Sequence, residues 1–174
     1  MEFLPGLQAT LNLHPMFVHF PIVITLLALL AEIVHKVYKK PVYGDMAGVL
    51  LNLAAISAVV TLITGYWASD SLGHDTPGHD YVHGHRDVMI WFTAFTVLAA
   101  IVFQFIKSSR QGLYRLVVLV FLSGLLMFGA DRGARLVYEY GVGVKKTTEI
   151  HEDNDDPDPT GENDIDAEEH FDGD

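Results

Sequence analysis

The sequence predicts an all-α integral membrane protein, an antiparallel four-helix bundle followed by a disordered acidic C-terminal tail. Three observations carry that expectation. Four uncharged apolar runs, residues 15–31, 46–69, 88–106 and 116–130, reach or approach lipid length. A bilayer core takes about 20 apolar residues from a helix, and flanking Lys and Arg side chains can snorkel outward to extend the reach. Half of the residues are hydrophobic, and the mean hydropathy is +0.27. The connections are short, which forces neighbouring helices antiparallel.

The first helix is expected over about 15–38, opened by Pro15 at a first-turn position with Asn12 and His14 near its cap, and ended by Lys39-Lys40-Pro41. The second is expected over about 44–69, where Gly44, Gly48, Ala54, Ala55, Ser57 and Ala58 offer the small surfaces that membrane helices pack on. Its Thr61, Thr64 and Ser69 are expected to bond back to their own helix. The third is expected over about 86–107 and the fourth over about 113–135, with Gly129 and Gly133 spaced for close contact.

Residues 1–146 thus form the transmembrane domain and 147–174 the tail. Of the 22 acidic residues, 13 fall in the tail, which holds no Lys or Arg. A segment so charged cannot bury enough surface to offset its ordering entropy. This balance speaks against nucleic-acid binding. The absence of cysteine excludes disulfides, thiolate zinc sites, iron–sulfur clusters held by this chain and covalent haem attachment. The first residues lack a basic segment and a small-residue cleavage site, so no removable signal peptide is expected.

Lys36, Lys39 and Lys40 in the first connection and Lys107, Arg110 and Arg115 around the third face a single Arg86 in the second. The positive-inside rule places the first and third connections in the cytoplasm and both termini outside, towards a periplasm or its equivalent. Arg132, Arg135, Lys145 and Lys146 follow the fourth run and narrow that bias.

Antiparallel packing collects six histidines, His14, His19, His74, His79, His83 and His85, at one end of the bundle, with Arg86, Arg132 and Arg135 beside them. His19 lies more than a turn inside the first apolar run, where an imidazole calls for a partner, and His85 opens the third helix. Two imidazoles from facing helices are a common way to hold haem b in a membrane bundle. His14, about 140° around the helix from His19, and His83 stand as substitutes, and the three arginines suit haem propionates. The alternative for His19 is a core histidine satisfied by a backbone carbonyl; for His14 it is a cap or headgroup contact.

A second reading of the same residues is a zinc or copper site. Residues 73–85 read as a flexible loop in which His74, His79, His83 and His85 alternate with carboxylates, and His19 could join them. No His-Glu-x-x-His pair is present. His85-Arg86-Asp87 lacks the other kinase elements, residues 143–147 lack the glycine and α/β setting of a phosphate loop, and residues 156–168 misplace the last acid of a calcium loop.

The segments 14–21 (His-Pro-Met-Phe-Val-His-Phe-Pro), Gly65 through Asp70, His85, and 133–144 (Gly-Ala-Arg-Leu-Val-Tyr-Glu-Tyr-Gly-Val-Gly-Val) resemble the bacterial predicted membrane proteins of domain-of-unknown-function family 2231. The resemblance covers about 12–146 and implies four spans with the marked residues gathered near one face. It matches at His14, His19, Asp70, His85, Gly133, Arg135, Tyr138, Gly141 and Gly143. It departs at Ala134, where a second glycine is common. Some relatives are joined to Rieske-type iron–sulfur domains, which implies redox company.

The expectation drawn from both lines is an electron-transfer or binding subunit rather than a stand-alone enzyme. It would be a b-type cytochrome held through His19 and His85, working between a quinone or respiratory-chain subunit and a basic periplasmic redox protein docked on the acidic tail. A histidine-based metal-binding or transport module and a non-catalytic structural subunit are the alternatives.

Overall fold

The computed structural model describes residues 13–70, 72, 78–106 and 108–142, of 108–112 the backbone alone. Five helices follow in order: α1 (His14–Phe17), α2 (His19–Tyr38), α3 (Pro41–Asp70), α4 (His79–Phe105) and α5 (Ser108–Tyr138). Together α1 and α2 make one span, His14–Tyr38, and four spans in all are long and apolar enough to cross a membrane. The histidine loop residues 73–77 and the tail, 147–174, lie outside the described residues.

The interruption between α1 and α2 has a chemical cause. Pro21 has no N–H to give to the carbonyl four residues back, that of Phe17, and its ring crowds that carbonyl. In lipid an orphaned carbonyl is costly, so a neighbouring side chain must supply the missing donor. Thr61 of α3 does so, its Oγ1 donating to Phe17 O at 3.0 Å. Thr61 therefore bonds across helices instead of back to its own, whereas Thr64 donates to Thr61 O and Ser69 to Tyr66 O as expected. At the other end Lys39 takes a left-handed conformation (φ 56°) that caps α2 and turns the chain into Pro41.

Consecutive spans pack side by side, and α2 also packs on α5, closing the ring. Among the described residues α2 and α4 make no direct helix contact, so they stand diagonally opposite, as do α3 and α5. The core is built from alanines, Ala28, Ala55, Ala58, Ala99 and Ala100, set against Leu51, Phe92, Leu119, Leu122 and Leu126. Small faces on α3 let its neighbours approach, while large apolar residues such as Leu30, Ile56, Leu98 and Phe121 turn outward. That inversion is what a lipid surround permits.

The helices run longer than the apolar runs alone predict. Helix α3 starts at Pro41 rather than 44, and α5 covers 108–138 rather than 113–135. The largest correction is at α4, which starts at His79 rather than 86. Gly78, at φ 82°, sets the turn, and Tyr140 packs over it so closely that a Cβ there would meet Tyr140 Cγ at 2.8 Å. Polar residues 79–85, read above as loop, are the first two turns of a helix, because apolarity marks only the lipid-facing length.

Candidate functional site

Two imidazoles point into the bundle from diagonal spans at the same end. His14, in the first turn of α1, lies against α3, with Nδ1 3.4 Å from Thr64 Oγ1. Its ring is seated where Gly65 has no side chain, since a Cβ at 65 would stand 2.8 Å from His14 Cε1. His85, on α4, is seated the same way over Gly133 of α5, where a Cβ would stand 3.1 Å from its Cε1. Its Nδ1 donates to Gly129 O at 2.9 Å, which fixes the ring and leaves Nε2 with the lone pair. The two rings lie within electrostatic reach of each other, and Arg132 lies within reach of His85.

Gly129 and Gly133 form one groove. A Cβ at 129 would come 2.5 Å from Met89 Sδ, so Met89 and His85, one turn apart on α4, fill adjacent notches on α5.

His19 is not part of this arrangement. It lies exposed on the helix surface, with Nδ1 3.1 Å from Pro15 O in its own first turn. The pair His19 and His85 expected above is therefore not brought together; the imidazole held between helices at the same end as His85 is His14. The reason is rotational. His14 and His19 cannot share a face, and the partner an embedded His19 needs is supplied locally by a backbone carbonyl.

His79 and His83 form a second imidazole pair, one turn apart on α4, with their Nε2 atoms 2.9 Å apart and rings edge to face. Arg86 donates to His83 Nδ1 at 2.7 Å, so in this tautomer the proton of His83 is on Nε2 and points at His79. Arg86 also lies 5.5 Å from the Tyr66 ring centroid, and its buried Nε has no hydrogen-bond partner among the described residues. No group of three or more His, Cys, Asp or Glu side chains converges for a metal among the described residues, and His74 lies outside them.

A cleft of about 230 Å³ opens between the start of α4 and the end of α5, lined by Asp80, Tyr81, Gly84, Arg132 and Arg135. Arg132 crosses Gly84, where a Cβ would meet its Nη1 at 2.8 Å, and lies 4.7 Å from the Phe128 ring centroid. Arg135 holds Glu139 with two bonds of 3.0 and 3.1 Å. Tyr140, just past α5, packs on Tyr81; that hydroxyl contact keeps the Tyr140 phenol protonated above its usual range.

The sequence model of one protein family matches residues 10–146, a family described as predicted membrane protein (DUF2231). The chain belongs to that family. The match takes in every described helix of this DUF2231 protein and stops before the acidic tail. No curated protein and no solved structure matches it.

Sequence reasoning missed the charged pair at the opposite, lysine-bearing end of the DUF2231 bundle. Glu32 of α2 is fully buried, and Arg115 of α5 is 5% exposed. Arg115 Nε donates to Glu32 Oε2 at 2.7 Å, and its Nη2 lies 2.6 Å from the same oxygen. Lys36 Nζ lies 3.4 Å from Oε1, too poorly aligned to count as a hydrogen bond. Both residues flank uncharged runs and read as boundary charges. The available signal was angular, because Glu32 continues the inward stripe Pro21, Thr25 and Ala28 along α2.

Proposed function

We propose that this membrane protein carries electrons as a b-type cytochrome, with His14 and His85 as the haem ligands at the histidine end of the bundle. One observation supports the reading above the others. His14 and His85 stand on diagonally opposed spans at the same end of the bundle, and His85 is oriented by a backbone carbonyl in the manner of metal-ligating histidines. The donor chemistry would suit haem b: imidazoles of His14 and His85 would hold the iron, and the guanidinium of Arg132, on a cleft that also carries Arg135, would meet a propionate. Haem bound there would supply one-electron exchange. The protein's own part would be to fix the imidazole tautomers, exclude water with Met89, which fills the notch next to that of His85, and neutralise propionate charge.

In this reading the partner inside the bilayer is a quinone or a respiratory-chain subunit. A basic redox protein would dock on the acidic tail, with both termini on the outer side of a bacterial inner membrane.

The test is the absorption spectrum of the detergent-purified full chain from haem-replete cells. A Soret band that shifts on dithionite reduction is expected, lost in His14→Ala and in His85→Ala and kept in His19→Ala. A colourless protein, or a His85→Ala variant with an unchanged reduced spectrum, overturns the proposal. Zinc or copper retained through purification and lost in His79→Ala would favour the metal module instead, as the 2.9 Å approach of His79 and His83 allows.

A further inference from the structure

In a membrane helix a Ser or Thr hydroxyl is most readily satisfied by a carbonyl of its own helix. Ser57 donates to Ala54 O, Thr64 to Thr61 O, Ser69 to Tyr66 O and Thr96 to Phe92 O, while Thr61 serves the Phe17 carbonyl that Pro21 leaves open. Thr25 and Ser123 do neither. Thr25 is fully buried, Ser123 is 7% exposed, and neither hydroxyl has a hydrogen-bond partner among the described residues. An unpaired hydroxyl in an apolar interior costs free energy, so two of them at one place call for a ligand.

Their common place follows from helix register. The bond from Arg115 to Glu32 fixes α5 against the antiparallel α2. Thr25 lies seven residues before Glu32 and Ser123 eight after Arg115, rises of about 10.5 and 12 Å, so the two stand at one depth to about 1.5 Å. That depth is the middle of the spans His14–Tyr38 and Leu113–Tyr138. Both residues also turn to one seam. Thr25 is about 20° around α2 from Glu32, which reaches α5. Ser123 is about 120° around α5 from Gly129, the notch that Met89 of α4 fills, and the other neighbour of α5 is α2. Thr96 comes to the same level on the face of α4 that carries Met89, seven residues on. Its proton goes to Phe92 O, so its oxygen can still accept.

Size and charge select the occupant. Ala28 on α2 and Leu119, Leu122 and Leu126 on α5, all within a turn of the two hydroxyls, are at most 1% exposed, so the seam is closed and the ligand is small. Within a turn of either hydroxyl neither α2 nor α5 carries an ionisable side chain, so an ion would be stranded and the ligand is neutral. A water molecule has that size, donates and accepts, and when buried makes about three hydrogen bonds. We propose that Thr25 and Ser123 bind a water molecule between α2 and α5 at the middle of the membrane, with Thr96 Oγ1 as its third contact. The water bridges the two helices there, as Glu32 and Arg115 bridge them two turns further on. The site does not depend on haem at the histidine end.

The experiment uses the full chain in detergent with isotope-labelled threonine methyls. Magnetisation transfer from water to the Thr25 methyl is expected in the native chain. Ser123→Ala should abolish that transfer; because it leaves Thr25 itself intact, it separates a bound water from exchange of the Thr25 hydroxyl proton. Thermal unfolding followed by helicity supplies the second readout. An unliganded buried hydroxyl is a burden whose apolar replacement raises the midpoint, whereas a hydroxyl that holds a shared water is a support whose loss lowers it. Thr25→Val and Ser123→Ala should each lower the midpoint, and the double variant should lower it by less than the two shifts added, because both lose the same water. The proposal is overturned if the native chain shows no transfer, if Ser123→Ala keeps it, if either single variant melts higher than the native chain, or if the two shifts add.

Discussion

Replacing Glu32 by leucine should cost as much stability as the largest apolar truncations in this bundle. The carboxylate is fully buried and sits 2.6–2.7 Å from two nitrogens of a guanidinium that is itself 5% exposed. At 2.7 Å and an effective dielectric constant of about 20, the attraction is about 6 kcal/mol before desolvation is counted. Removing one partner strips the other buried charge of its nearest counter-charge, and such losses run to about 3–5 kcal/mol. Removing both in Glu32→Leu with Arg115→Met restores an apolar interior and should cost less than the two single losses added together, giving a coupling of about 2 kcal/mol or more. Lys36→Met, at 3.4 Å and a third exposed, should cost less than about 1 kcal/mol. Equilibrium unfolding in mixed micelles, followed by helicity, reads the native chain and all four variants on one scale. Single losses below 1 kcal/mol, or strict additivity in the double variant, would refute the description of this pair as a desolvated ion pair.

The proline break supplies a second cycle. Thr61→Val strips the donor from the Phe17 carbonyl and should cost about 1–3 kcal/mol in the same unfolding measurement, whereas in a Pro21→Ala background, where residue 21 regains its N–H, the same change should cost markedly less. Equal costs in both backgrounds would mean that Thr61 matters for something other than that carbonyl. At the histidine end, Gly133→Val should displace the His85 ring, whose Cε1 a Cβ would approach to 3.1 Å, and cost about 1–3 kcal/mol by overpacking. Gly124→Val, where a Cβ meets nothing within 4 Å, is the control and should cost far less on the packing side. A similar loss at both positions in the unfolding midpoint would sink the notch argument.

The parts of this architecture legible in the sequence are those governed by one-dimensional rules. Four apolar runs and short connections give four antiparallel spans, and Pro15, Pro41 and the Lys39-Lys40 turn give the ends of the first two. What was not legible depends on rotation about the helix axis. Ranking the histidines by depth favoured His19 over His14, because depth is read directly from residue number. Burial instead follows the face, and the 140° between the two residues means that only one can look inward. The angular information was present in the alanine and threonine stripe of α2, since Thr25, Ala28, Ala31 and Glu32 mark its inner face. Carried back through His14 with the Pro21 break in place, that stripe selects position 14 and carried forward it selects Glu32, so one phase would have located both ends of the molecule. The glycines tell the same story from the partner helices. Gly65 and Gly133 were readable as generic packing surfaces, but that each seats an imidazole follows only once the diagonal arrangement of spans puts α1 against α3 and α4 against α5. In a bundle whose outside is as apolar as its inside, hydrophobicity fixes how many helices there are, and the positions of the small and polar residues fix which way each one faces.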